Sequence, residues 1–80
     1  FNPTTLLRYD LPVPSNVNFS IYDLMGREVA SLVLGEQGPG FHSIVWQGKD
    51  GTGRQAPSGI YIARLVTPAY TKSIKMVLLK

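Results

Sequence analysis

Apolar and polar residues alternate with a period of two along most of this chain, as they do in strands that bury one face. In the first such segment, Leu7, Tyr9 and Leu11 alternate with Arg8 and Asp10. No segment combines the wider apolar spacing of a helix with helix-capping residues. The alternation predicts six strands, at residues 5–11, 17–22, 27–34, 41–47, 59–67 and 70–79.

Turn-forming residues separate these segments and limit the length of each strand. Pro12 ends the first strand, because proline has no N–H to donate to a neighbouring strand. Residues 23–26 predict a turn, since aspartate bonds the backbone that follows it and glycine accepts a positive φ. Glycine-rich loops are predicted at 35–40 and 48–53, with a short edge strand at 54–56. Short strands with frequent turns predict an all-β sandwich or barrel.

The last two strands carry apolar residues on both faces. Tyr61, Ala63 and Leu65 are expected to face the core, yet Ile60 and Ile62 on the other face are apolar as well. The final strand has Ile74, Met76 and Leu78 on one face and Lys75, Val77 and Leu79 on the other. A sheet with one solvated face is usually polar there. Either a partner covers this face, or single apolar residues lie on the surface without a role.

Composition limits the chain to one small globular domain. Of its 80 residues, 44% are apolar and 16% are charged, which suits a folded core. The net charge of +3 comes from scattered cations, so no nucleic-acid partner is expected. The absence of cysteine excludes disulfide scaffolds, zinc ribbons and thiol nucleophiles. Since the chain starts at Phe1, we expect a single domain, residues 1–80, excised from the C-terminal end of a longer exported protein.

Few residues could carry chemistry, and their spacing predicts no catalytic or metal site. His42 is the only histidine, which excludes a two-histidine metal site, and it shares a strand face with Ile44 and Trp46. The carboxylates lie on different strands and turns rather than in facing pairs. Residues 50–53 resemble a calcium loop, but Asp50 is its only carboxylate. We therefore predict no catalytic residue, no metal, no cofactor and no small-molecule substrate.

Several short motifs occur along the chain in a fixed order. They are Asn2-Pro3-x-Thr5, Arg8-Tyr9-Asp10-Leu11-Pro12, Tyr22-Asp23-Leu24-x-Gly26-Arg27-Glu28-Val29, Gly40-x-His42-x-Ile44-x-Trp46-x-Gly48-x-Asp50-x-x-Gly53, Ser58-Gly59-Ile60-Tyr61-x-x-Arg64-Leu65 and Lys75-Met76-Val77-Leu78-Leu79-Lys80. Together they cover the chain and resemble the C-terminal sorting domain of the type IX (Por) secretion system, type A. They are similar, too, to the immunoglobulin-like domain of flagellar hook-capping proteins.

The resemblance implies an immunoglobulin-like sandwich of about seven mostly antiparallel strands in two sheets. It implies a non-catalytic sorting module that directs an upstream cargo protein from the periplasm across the outer membrane, to the bacterial cell surface or the medium. The implied partners are the outer-membrane secretion machinery and the upstream domain of the same polypeptide. Recognition is expected in the last strand, at Lys72, Lys75, Met76, Val77, Leu78, Leu79 and Lys80.

Five residues of these motifs are expected to have structural roles. Pro3 fixes the entry to the first strand, because its ring locks φ, and Gly26 supplies the conformation of a turn. Trp46 is the largest core side chain and should anchor both sheets. Gly59 permits a sharp turn into the central strand of Tyr61.

Two further functions remain open. One is a structural assembly module, such as a hook-cap or stalk domain of the immunoglobulin-like type. The other is a carbohydrate-binding accessory module, in which exposed aromatic rings would stack on a sugar. The candidate rings are those of Tyr22, Phe41 and Tyr70, although no two of them stand at a clear ligand spacing.

Overall fold

The computed structural model describes residues 4–79, in which six strands form two antiparallel sheets. The strands are β1 (Thr5–Leu11), β2 (Ser15–Asp23), β3 (Glu28–Gln37), β4 (Gly40–Trp46), β5 (Gly59–Val66) and β6 (Thr71–Leu78). β1 pairs with β4, and the other four strands pair in the order β3-β2-β5-β6. The predicted all-β sandwich is confirmed. No helix among the described residues is long and apolar enough to cross a membrane.

The core lies between the two sheets and is filled by alternate residues of the strands. Tyr9 of β1 meets Phe19 of β2 edge to face, with ring centroids 5.2 Å apart. Each fully buried Leu, Ile or Phe contributes about 1.5–3 kcal/mol through its removal from water. The largest fully buried side chains are Phe19, Leu7, Leu11, Ile21, Leu65, Leu78 and Val17. Both sheets contribute to this set, so neither can bury its apolar face without the other.

Trp46 and Tyr61 connect the two sheets at one end of the core. The Trp46 side chain, on β4, is 2% exposed and meets Tyr61, on β5, at 5.2 Å between ring centroids and 69° between ring planes. Trp46 Nε1 donates to the Lys49 carbonyl over 3.1 Å. The Tyr61 hydroxyl donates to the Pro57 carbonyl over 2.6 Å, and burial raises the pKa of this phenol. Both polar groups thus have partners in the loop between β4 and β5.

β3 continues past its predicted end at Leu34 because a bulge carries the strand through Gly35. Val17 lies opposite Gly35 and Asn18 lies opposite Val33, so Leu34 is the additional residue on β3. Gly35 has a φ of +72°, a conformation that other residues adopt only at a cost. The glycine that predicted the end of a strand is therefore part of a β-bulge.

The seventh, short strand predicted at residues 54–56 is wrong. Only an isolated bridge between Lys49 and Gln55 occurs in that part of the chain. The loop instead attaches to β3, where the Gly51 N–H donates to the Val29 carbonyl over 3.0 Å. Val29 is the extra residue of a second bulge in β3, which leaves its carbonyl available to the loop.

The residues predicted to have structural roles lie at turns, at strand ends and in the core. Gly26 occupies the β2–β3 turn with a φ of +82°, and its N–H donates to the Asp23 carbonyl over 3.1 Å. Gly59 is the first residue of β5 and pairs with Leu78 of β6. Pro3 and Lys80 lie outside the described residues.

Candidate protein-interaction surface

His42 is held at the rim of the core by contacts to its ring. Nε2 lies 2.7 Å from the Gly38 carbonyl oxygen, and because a carbonyl can only accept, this nitrogen donates the proton. The ring stacks on Tyr9, with centroids 5.3 Å apart and planes at 19°. The Tyr9 hydroxyl donates to Gln37 Oε1, and burial raises the pKa of this phenol. These contacts brace the corner between β3 and β4, so the geometry gives His42 a structural role.

Asp23 and Asp50 each close a turn with their carboxylates. Asp23 Oδ1 accepts the N–H groups of Met25 and Arg27 over 2.9 and 3.0 Å. Asp50 Oδ1 accepts the hydroxyl and the N–H of Thr52 over 2.6 and 2.9 Å. The Arg27 N–H lowers the pKa of Asp23, and the Thr52 hydroxyl lowers that of Asp50. Among residues 4–79, no three potential metal ligands are grouped together.

The three aromatic rings considered for sugar binding do not form one platform. Tyr22 lies on β2 of the four-stranded sheet, whereas Phe41 lies on β4 of the other sheet and is 91% exposed. The Tyr70 hydroxyl donates to the Asp10 carbonyl over 3.1 Å, which holds this ring against β1. A flat sugar ring needs stacking rings that share one surface, and Tyr22 lies on a different sheet from Phe41.

The predicted recognition strand is β6, at the edge of the four-stranded sheet. From Ile74 to Leu78 its residues alternate between the core and the surface, as the sequence indicates, whereas residues 71–73 are all exposed. Met76 and Leu78 are buried, so these two belong to the core and are closed to a partner. The exposed members of the predicted set are Lys72, Lys75, Val77 and Leu79.

Apolar side chains gather on the outer face of the four-stranded sheet because three adjacent strands bring them together. Tyr22 lies opposite Ile62, Ile62 lies opposite Lys75, and Ile60 lies opposite Val77. We call the following six residues the outer patch: Tyr22, Ile60, Ile62, Arg64, Lys75 and Val77. The sequence pattern indicates the members on β5 and β6. It does not place Tyr22 beside them, because alternation along one strand does not show which strands are neighbours.

Comparison with known proteins relates the chain to one family. Residues 4–68 match the FlgD Ig-like domain. The solved structure of FlgD from P. aeruginosa is 35% identical and has a TM-score of 0.73, and the match covers 94% of this chain and 59% of that protein. FlgD from Xanthomonas campestris, described in terms of hook capping essential for flagellar assembly, is 23% identical, has a TM-score of 0.67 and shares the fold. That match covers 96% of this chain and 58% of the relative. Comparison with curated proteins finds no match.

These matches contradict the main functional prediction, a sorting module of the type IX secretion system. They are to FlgD proteins, and none of them supports a sorting domain. The predicted partner, the outer-membrane secretion machinery, is therefore wrong, and so is the predicted destination at the cell surface or in the medium. The secretion signal assigned to residues 72–80 has no support once the sorting function is removed. The matches favour the alternative, an immunoglobulin-like domain of the hook-cap type. This chain belongs to the FlgD Ig-like domain family.

Proposed function

We propose that this chain is a non-catalytic structural module of a hook-capping protein and makes protein–protein contacts during flagellar assembly. The observation that carries the proposal is the family match over residues 4–68, together with the 35% identical FlgD structure. The chain spans about three-fifths of the FlgD structures that it matches, 59% and 58% of their length. The activity and partners of the intact protein are accordingly part of the proposal.

The geometry of the described residues supports binding rather than catalysis. The His42 ring and the Asp23 and Asp50 carboxylates are engaged in hydrogen bonds that hold turns and corners. The outer patch instead presents apolar side chains to solvent on a folded sheet, a feature typical of protein interaction sites. We also propose that residues 1–80 form one domain, because both sheets share a single apolar core.

Domain exchange tests the proposed function. The homologous segment of P. aeruginosa FlgD is replaced by this chain, and the chimera is produced in cells that lack their own FlgD. We expect the cells to assemble flagella, counted by electron microscopy and checked by motility in soft agar. A Trp46→Ala chimera serves as the control and should restore nothing, since this domain would not fold. A soluble, folded chimera that leaves the cells without flagella contradicts the proposal.

A further inference from the structure

The outer patch exposes apolar surface that the fold itself does not use. Ile60 and Val77 stand directly opposite each other on β5 and β6, and are 38% and 51% exposed. Tyr22 and Ile62 extend the apolar surface across β2 and β5. The adjacent row of the same face is polar, and consists of Ser31, Ser20, Arg64 and Ser73. Apolar pairs on an open face stay in contact with water unless another surface covers them.

Two exposed cations border this apolar surface. Lys75 and Arg64 are both exposed and point to the same face of the sheet. Within residues 4–79, the only ion pair joins Arg27 to Asp23 over 3.0 Å, so neither cation of the patch has a carboxylate partner. Glu28 lies in register with Lys75 across the sheet, but it is on β3 and Lys75 is on β6. Three strand spacings, or roughly 14 Å, therefore separate the two residues. The patch therefore combines exposed apolar side chains with positive charge.

We propose that the outer patch binds a partner protein whose contact surface combines apolar side chains with carboxylates. The inference rests on the proposed function, and assigns this face to the contact that the module makes in a hook-cap assembly. The apolar side chains provide area to remove from water, and Arg64 and Lys75 select a surface of opposite charge. The net charge of +3 favours the same partner at longer range. A second copy is disfavoured as the occupant, because a two-fold contact would bring these cations close to their own counterparts.

Two pairs of substitutions in the chimera test the patch. Ile60→Ser with Val77→Ser removes apolar surface, and Arg64→Glu with Lys75→Glu reverses the charge. Loss of central contacts weakens binding at least about tenfold at other interfaces, and we expect each pair to reduce the number of flagellated cells at least about tenfold through such a loss. The charge-reversed chimera changes exposed side chains only, so it remains informative if the serine variant folds poorly.

Matched control variants change a surface of the same kind on the other sheet. Leu6 and Val45 are also directly opposed, on β1 and β4, and are 49% and 50% exposed. Leu6→Ser with Val45→Ser should leave flagella within about twofold of the unsubstituted chimera, because surface changes away from an interface cost little. Arg8→Glu with Lys49→Glu controls in the same way for the reversal of two exposed charges.

The outcomes separate this inference from the proposed function. If the unsubstituted chimera assembles no flagella, the proposed function fails and the inference fails with it. If it assembles flagella and both patch variants do so equally well, only the inference fails.

Evidence for either of two other occupants of the patch would also overturn the inference. A dimer of the 80-residue chain that the patch variants abolish, seen by light scattering, would assign the patch to a second copy. Patch substitutions that lower the melting temperature of the chimera, but not of the isolated chain, would assign it to a contact within the polypeptide.

Discussion

Trp46 is a residue of β4 whose ring packs against β5 of the other sheet. Its indole is 2% exposed and lies edge-on to Tyr61 of the other sheet. Truncation to alanine leaves a cavity and costs about 3–5 kcal/mol, on the order of the whole stability of so small a domain. We expect Trp46→Ala to be largely unfolded in buffer by far-ultraviolet circular dichroism. Phe41→Ala is the matched control, because Phe41 is 91% exposed and its removal should change the stability by no more than about 0.5 kcal/mol. Equal urea midpoints for the two variants would refute this role of the indole.

Asp50 makes a pH-dependent contribution whose sign follows from its contacts. The Thr52 hydroxyl, the Thr52 N–H and the Arg54 N–H lower its pKa below the ordinary value of 3.8. A carboxyl with a lowered folded-state pKa stabilises the protein above its unfolded-state pKa, and this effect is lost as the pH falls through the folded-state value. The urea midpoint of wild type should therefore be higher than that of Asp50→Ala by a constant amount near neutral pH. This difference in midpoint should shrink below about pH 4.

Urea midpoints at pH 7, 5, 3 and 2, in ~0.1 M salt, measure this dependence. Asp50→Asn keeps an oxygen that accepts the same hydrogen bonds and loses only the charge. We expect it to fall between wild type and Asp50→Ala at neutral pH. Midpoint profiles of wild type and Asp50→Ala that run parallel down to pH 2 would show that ionised Asp50 does not support the turn.

At the scale of one strand, β3 depends on the bulge at Gly35. This residue has a φ of +72°, so an added Cβ meets backbone strain even though nothing lies within 4 Å of it. We expect Gly35→Ala to lower the free energy of unfolding by about 1 kcal/mol. Gly38→Ala, three residues later in the same segment, is the control, because it has equal space and no left-handed φ. Urea unfolding distinguishes the two variants, and equal losses would mean that the bulge tolerates other residues.

The elements show why the sequence predicts some features and misses others. Alternation predicts the bounds of β1, β5 and β6 closely, because the buried residues of each strand are separated by single residues that stay at least partly exposed. It ends β3 too early, since a glycine at a strand end and a glycine in a bulge look alike in sequence. The short strand expected at 54–56 is a loop, because its pairing is limited to the isolated bridge between Lys49 and Gln55. Local pattern describes the faces of a strand, whereas bulges and loop packing depend on the neighbouring strand.

The candidate site depends on the whole molecule, and the sequence predicts it only in part. The two-sided apolar pattern of residues 60–79 predicts apolar side chains on the outer face, and Ile60 and Val77 are exposed there. The pattern does not show that β2 adds Tyr22 to this surface, because β2 and β5 are far apart in the chain and meet only in the folded sheet. The family motifs do not separate the sorting domain from the hook-cap domain either. They mark turns and core residues, which any protein with this fold needs.

Both sheets of the described molecule are expected to unfold as one unit. The two-stranded sheet has few backbone links to the other strands, but Thr5 Oγ1 donates to the Val77 carbonyl over 3.2 Å, and the Tyr70 hydroxyl donates to the Asp10 carbonyl over 3.1 Å. More important, an isolated two-stranded sheet is at best marginally stable in water, and the residues of β1 and β4 are buried only against the other sheet. Loss of either sheet therefore exposes the core of both.

Trp46 provides a direct measurement of this coupling, because it is the only tryptophan and lies on β4. Its fluorescence follows the two-stranded sheet, while far-ultraviolet circular dichroism is dominated by the larger sheet. We expect the two signals to give the same urea midpoint and the same slope, as in other small two-state domains. Tyr70→Phe should lower both midpoints together, because it removes one link between the sheets and leaves the common core intact. The expected net loss in the free energy of unfolding is about 0.5–1.5 kcal/mol. A fluorescence midpoint that lies below the dichroism midpoint would mean that the two-stranded sheet melts separately, and the proposed single domain would then have to be divided.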